Sequence, residues 1–257
     1  MSTAALALRQ VKFENRSFWR NPAAAFFTFI FPLIFLFVFN TVFGEEQEIM
    51  FGVEVNASQF YVPAIAAFSV ISACFTNIAI SLTFARELGI LKRLRGTPLP
   101  PWVYFFGRLA HSIIVAILLV IIVTAVGALV YDVDVPTETL AEFTLALAVG
   151  AAAFSSLALA VTAIIPNENA APPIVNATIL PLLFISDVFF GPDASPEWLQ
   201  KVADVFPVRP FNQALVAAFN PTDGASNFEI GDVMVVAAWG VVGVVLAIRF
   251  FSWEPRR

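Results

Sequence analysis

Histidine and cysteine are nearly absent. His111 and Cys74 are the only ones in 257 residues. A lone cysteine excludes an internal disulfide, and its apolar neighbours mark it as a buried thiol rather than a reactive one. A lone histidine excludes any site that needs two. HExxH, CxxC and GxSxG are missing, and so is GxxxxGK[ST], the loop whose backbone amides would cradle nucleotide phosphates. If the chain uses ATP, another chain binds it. Charge is scarce as well: 13% of the residues are charged, against roughly 25% in a soluble domain. The formal net charge of −5 carries less meaning than where each charge lies. No internal repeat is visible. The paired, interrupted spans that inverted halves of a secondary transporter would show are missing too.

What is abundant is apolar: 59% of the residues, with a mean hydropathy of +0.84. Six runs, at about 22–43, 60–84, 103–131, 142–165, 172–190 and 231–250, approach the roughly 20 apolar residues that a 30 Å hydrocarbon layer requires. Only helices and closed barrels satisfy their backbone in lipid, and continuous rather than alternating apolarity favours helices. The expected fold is therefore an all-α integral membrane protein, a bundle of six transmembrane helices forming one domain over 1–257. The first run exceeds a signal peptide's apolar core of about 7–15 residues, and no small-x-small cleavage site follows it.

Charge then orients the bundle. Arg9, Lys12, Arg16 and Arg20 precede the first run, and Arg86, Lys92, Arg93, Arg95 and Arg108 lie at the connection from the second to the third. Arg249, Arg256 and Arg257 end or follow the sixth, so twelve of the fourteen cations share one side. The opposite connections hold only Lys201 and Arg209 with most of the acid: Glu45, Glu46, Glu48, Glu54, Asp132, Asp134, Glu138, Glu142 and a set from Asp193 to Asp232. The positive-inside rule predicts a multi-pass protein of the cytoplasmic membrane with both termini inside, as an even number of spans requires.

Three shorter segments stand apart. Residues 1–21 place Arg9, Lys12, Arg16 and Arg20 at helical spacing, with Leu8, Val11, Phe18 and Trp19 on the other side and Phe13 breaking the stripe. They read either as a helix lying on the inner leaflet or as a generic cationic anchor. Between the fifth and sixth runs, "SPEWLQKVADVF" opens with Ser195 as N-cap and Pro196 at the first helical position. Leu199, Val202, Ala203 and Phe206 then form an apolar face. "RPFNQALVAAFNP" sets Phe211, Leu215 and Phe219 on one face and stops at Asn220-Pro221. Each spans about 12 residues, or roughly 18 Å. Too short to cross, they predict outer re-entrant helices over 195–220.

The third segment, "RELGILKRLRGTPLPP", follows the second run. As one helix, 86–95 sets Ile90, Leu91 and Leu94 on an arc flanked by Arg86, Lys92, Arg93 and Arg95, with Gly96 as its left-handed cap and Pro98 as its stop. An orienting loop would need the cations alone. A docking helix would use the apolar arc, the fixed end and Glu87 as well.

"ARELGILKRLRGTPLP", followed by a span and later by "PLLFISDVFFGPDASPEWLQKVADVFPVRPFNQAL", resembles the two motifs of type-2 ATP-binding-cassette (ABC) exporter permeases. The resemblance extends over the whole chain, with six spans and an N-terminal interfacial helix. It departs at Asp187, where a small residue is usual, at Gly191 inserted in the Phe-Phe-Pro corner, and at Ala85 and Ile90, where polar residues are common. It implies a permease subunit of an ATP-driven exporter of an apolar or amphipathic substrate, such as a drug, lipid or glycan carrier. No cofactor would bind this chain; ATP and Mg would bind a partner ATPase. A second permease chain, expected to be identical, and membrane lipid would be the other partners, with no nucleic acid.

The resemblance makes 86–98 the cytosolic coupling segment to the ATPase. Arg86, Glu87, Lys92, Arg93 and Arg95 would contact the ATPase, Leu88, Leu91 and Leu94 would pack the helix, and Gly89, Gly96, Thr97 and Pro98 complete the motif. Spans two and five would line the path, at Ser72, Thr76 and Asn77 and at Asn176, Thr178, Phe184 and Phe189, although polar residues there also serve interhelical bonding. Pro172, Pro173 and Pro181 suggest an interrupted fifth span, as a gate or a static kink. Asp187, Phe190 and Trp198 would form an outer gate, unless Asp187 pairs with Lys201 or Arg209. An ion-coupled secondary transporter is the alternative, but it would want acids deep in the membrane, and the acids within the six runs, Glu142, Asp187 and Asp232, all lie close to a run's end. An intramembrane hydrolase would need a Ser/His pair, a zinc motif or two apposed aspartates.

Overall fold

Among the described residues, five helices are long and apolar enough to cross a membrane. The computed structural model describes residues 3–44, 47–50, 53–189, 196–222 and 226–255. An N-terminal helix α1 (Thr3–Trp19) leads into the first candidate span, α2 (Pro22–Phe43), which starts at Asn21: its side-chain oxygen accepts a bond from the Ala24 amide, and Pro22 occupies the first turn. An antiparallel pair of short strands, β1 (Gln47–Met50) and β2 (Val53–Asn56), follows and was not anticipated from the sequence. The second candidate span, Ser58–Glu87, has three parts: α3 (Ser58–Ile71), a π-helical turn over Ser72–Thr76, and α4 (Asn77–Glu87). Beyond a short α5 (Ile90–Arg95) come α6 (Pro101–Val130) and α7 (Leu140–Val161). Then follow α8 (Ala171–Ile185), two short helices α9 (Glu197–Ala203) and α10 (Val208–Phe219), and finally α11 (Ile230–Phe250).

The fifth expected span differs from its prediction. Residues 172–190 do not form one helix: α8 has 15 residues, about 22 Å, and gives way to a turn at Ser186 and Asp187. Asp187 has φ 55°, a left-handed conformation that Asp tolerates better than most side chains. Pro172 and Pro173 do not interrupt a helix. They sit in its first turn, where their missing amides cost nothing.

Burial sorts the helices. In the apolar window of Ser58–Glu87, 72% of residues are buried, against 17% in α2 and in α11. The α3–α4 span is thus the axis of the core, while α2 and α11 present Phe27, Phe37, Met234, Val241 and Ile248 outward. Such a surface would be untenable in water and is ordinary in hydrocarbon. Small residues bring α7 and α11 together: Gly240 and Gly243 leave room for Ala153 and Ser156, and the Ser156 hydroxyl donates to the Gly240 carbonyl at 2.9 Å.

Helix α10 is buried along its whole length except at Gln213. Phe219 meets Phe143 near the start of α7, whereas Phe211 meets Phe154 and fills the space left by Gly150 near its middle. The helix therefore enters the bundle without crossing it. Its predecessor α9 begins after Pro196, which takes the N-cap position expected for Ser195. Ser195 itself lies outside the described residues. On the expected apolar face of α9, Ala203 is buried, Leu199 and Phe206 are half-buried, and Val202 is exposed.

Candidate functional site

Helix α5 is separated from α4 by Gly89, whose φ of 69° is the left-handed conformation only glycine adopts freely. Residues 86–95 are therefore not one continuous helix. Gly96, expected as the left-handed cap, has φ −82° instead. The Arg93 guanidinium bridges the break, donating to the carbonyls of Leu88 (3.1 Å) and Gly89 (3.4 Å). Thr97 closes the other end by donating to the Leu94 carbonyl at 2.7 Å.

Below α5 lies an apolar platform. Leu91 is fully buried, in one cluster with Leu82 and Ala85 of α4 and Tyr104 of α6. Leu94, Leu99, Phe105, Leu159, Phe251 and Trp253 pack around it. The platform thus joins the ends of α4, α7 and α11 to the start of α6. Leu88, expected to pack, is 57% exposed, because the turn at Gly89 carries it off the face that Leu91 buries. Lys92, Arg93, Arg95, Gly96, Thr97 and Pro98 are exposed.

Arg86 is the largest correction. The sequence places it among the cations that reach a partner, yet it is 1% exposed. Its Nη1 donates to the Thr162 carbonyl at 2.7 Å and its Nη2 to the Ile165 carbonyl at 2.6 Å. Its Nε pairs with Glu87 at 2.7 Å, so Glu87 also faces inward, its side chain 9% exposed. Carbonyls at the end of a helix lack intrahelical donors and carry the negative end of its dipole. A guanidinium fork is a fitting cap. Arg86 therefore clasps α4 to the end of α7, and a cation in a basic run misled the sequence reading because nothing local reveals carbonyls 76 residues away.

Along the core span, Ser72, Thr76 and Asn77 are half-exposed while Ala73, Cys74 and Phe75 between them are buried. The π-turn, a feature common at functional sites, collects these polar groups on the one side of the span that this chain leaves open. On α8, Asn176 and Phe184 are exposed and Thr178 is half-buried, its hydroxyl donating to the Ile174 carbonyl. Phe189 touches Phe184, with ring centroids 5.4 Å apart, but is itself buried. It is 4% exposed and packs on Phe35, Phe39 and Phe68.

Asp187 is buried and pairs with Arg209, the second of its two expected partners, at 2.6 Å through Nε. Asp204 takes the Nη1 side of the same guanidinium. Burial opposes the charge of Arg209, but the bond and charge of Asp187 and the charge of Asp204 hold its pKa above the ordinary arginine value. Asn212 donates to the carbonyls of Ser186 (3.4 Å) and Asp187 (3.3 Å), so the turn after α8 is bound to α10 twice. Trp198 is exposed on α9, and Phe190 lies outside the described residues. Near the start of α3 and the end of α6 is a cavity of about 590 Å³, lined by Glu54, Asp132, Asp134 and Glu138 among others. Among the described residues no group of His, Cys, Asp and Glu could hold a metal ion.

The family model described as ABC-2 type transporter matches residues 5–220. A protein of Porphyra purpurea named as a transport permease, ycf38, is 22% identical over 236 residues, covering 91% of this chain and 79% of that one. A protein of Escherichia coli K12 named as a multidrug ABC transporter permease, YbhR, is 23% identical over 189 residues, covering 74% of this chain and 48% of its own length. The ycf38 of Cyanophora paradoxa is 25% identical over 193 residues, and 65% of it is covered.

Proposed function

The chain belongs to the ABC-2 type transporter family, and from that premise we propose that it is the membrane subunit of an ATP-driven exporter, with α5 as its contact to a separate ATPase. The cationic segment would lie in the cytoplasm, as its charge predicts. What supports the reading is the pairing of an exposed cationic rim, Lys92 and Arg95, with the buried anchor Leu91. A force applied to the rim is carried by Leu91 into the platform shared by α4, α6, α7 and the tail after α11, and by the Arg86 clasp into α7. ATP would drive transport only by favouring one arrangement of these helices over another.

The substrate class proposed is apolar or amphipathic. The open polar strip of Ser72, Thr76 and Asn77 sits within an otherwise apolar span, which suits a cargo with both characters. Such a strip facing lipid would be costly, so a second copy of the chain closing around it is part of the proposal. Ion coupling is disfavoured because Asp187 is already committed to Arg209.

The test is capture. The affinity-tagged chain, purified from its native membrane, should carry a nucleotide-binding subunit with a Walker A loop. The K92A/R95A variant should insert equally well and lose that subunit by about tenfold, the drop that ~1.4 kcal/mol of lost binding gives. Equal recovery would overturn the assignment of α5.

A further inference from the structure

Helix α8 packs chiefly on α4, α9 and α10, and α7 packs chiefly on α11. Between the two groups remains an open cavity of about 290 Å³. Its wall runs from Phe75 in the π-turn and Phe154 on α7, past Thr178 on α8, to Trp239 and Leu246 on α11, and Phe206 in the turn between α9 and α10 closes one end. This wall is distinct from the strip at Ser72, Thr76 and Asn77, which does not line it.

Two observations define the occupant. The first is polarity. The Thr178 hydroxyl already donates to the Ile174 carbonyl at 2.8 Å, and the Trp239 indole N–H donates to the Val205 carbonyl at 2.7 Å. Neither donor is left for a ligand, and the Thr178 oxygen is the one side-chain acceptor in the lining, so an occupant bringing several polar groups would bury most of them without partners. That excludes an extended peptide, whose backbone would go unsatisfied in hydrocarbon. The second is size. The volume of about 290 Å³ lies just below the ~300–1,000 Å³ range of ligand pockets, which favours a slender occupant. From Trp239 to Leu246 the cavity follows two turns of α11, about 10 Å, at a depth where the surrounding medium is hydrocarbon.

We infer that this cavity is a binding site for a single lipid acyl chain, which completes the wall between α7, α8 and α11. The chain lies against Phe206, stacked on Trp239 with ring centroids 5.9 Å apart, so it also supports the turn into α10. Of the residues expected along the cargo path the site includes only Thr178, and it does not depend on the strip at Ser72, Thr76 and Asn77.

Photolabelling tests the inference. The intact transporter is reconstituted in phosphatidylcholine carrying a diazirine at mid-chain, irradiated, and mapped by peptide. Labelling of the α8 and α11 wall should exceed that of Phe27 and Ile34, exposed on α2, by about tenfold. Ala160→Phe, which fills the cavity from α7, should abolish the excess and leave the α2 labelling unchanged. Should that variant fail to insert, Leu182→Trp fills the same space from α8. Equal labelling of the wall and α2, or an excess that survives both substitutions, would overturn the site.

Discussion

Arg86 and Arg209 are both deeply buried, at 1% and 6% exposure, yet they are satisfied in opposite ways. Arg86 directs two of its nitrogens to backbone carbonyls and one to its sequence neighbour Glu87. Arg209 pairs with two carboxylates, Asp187 from the turn after α8 and Asp204 five residues before it, and adds longer bonds of 3.3 Å to the carbonyl and side-chain oxygens of Gln200. The first is a clasp on the main chain at the end of α7, and it tolerates any side chain there. The second is a lock between side chains, which loses its purpose when either half changes. The clasp lies next to α5, where motion would enter the bundle. The lock ties the turn after α8 to the buried helix α10.

Removing half of the lock should have the largest effect. Arg209→Met strands the buried Asp187 carboxylate and should cost about 3–5 kcal/mol, read as a fall in the thermal unfolding midpoint of the solubilised chain. Adding Asp187→Asn should restore at least half of the loss. A single variant as stable as wild type, or a double variant no better than the single, would break the comparison at this end.

The clasp should be somewhat less sensitive. Arg86→Lys keeps the charge but has no fork to span two carbonyls, so a loss of about 1–3 kcal/mol is expected. Glu87→Gln leaves both carbonyl bonds in place and should cost less. The reverse order would show that the ion pair, rather than the backbone, holds Arg86.

Smaller still is the expected effect at the break between α4 and α5. A Cβ at Gly89 meets no atom within 4 Å, so Gly89→Ala pays only for its left-handed backbone, about 1–2 kcal/mol. Asn at the same position should be milder. Removing Lys92 and Arg95 together should change stability by no more than about 0.5 kcal/mol, while ATPase capture, on the proposal above, should fall.

The two arginines also show how far the sequence could be read. Opposite charges at Asp187 and Arg209 are visible as letters, and the pairing was one of two anticipated. The clasp was invisible, because its acceptors are the main-chain carbonyls of Thr162 and Ile165, which every residue carries. Long apolar runs announced α2, α6, α7, α11 and the core span, since hydrocarbon imposes length and composition on whatever crosses it. It imposes neither on α8, whose apolar letters continue past the point where its helix ends at Ile185. The π-turn at Ser72–Thr76 and the two-stranded hairpin were equally hidden. One extra residue in a helical turn leaves no compositional trace, and strands of four residues show little periodicity. In the basic segment 86–98 the motif was legible but its direction was not: Gly89, placed within a helix by spacing, turns the chain and exposes Leu88.

Cross-linking from α5 tests the account most directly. Cys74 is buried, so a cysteine introduced by Lys92→Cys is the reactive thiol of the chain, and Trp198→Cys, exposed on α9, serves as its counterpart in the segment expected on the outer side. With a short thiol-reactive cross-linker in native membranes, position 92 should join the ATPase subunit and position 198 should not. A cross-link to the ATPase from position 198, or none from position 92 while transport continues, would contradict the assignment of α5 as the point where an external motor grips the bundle.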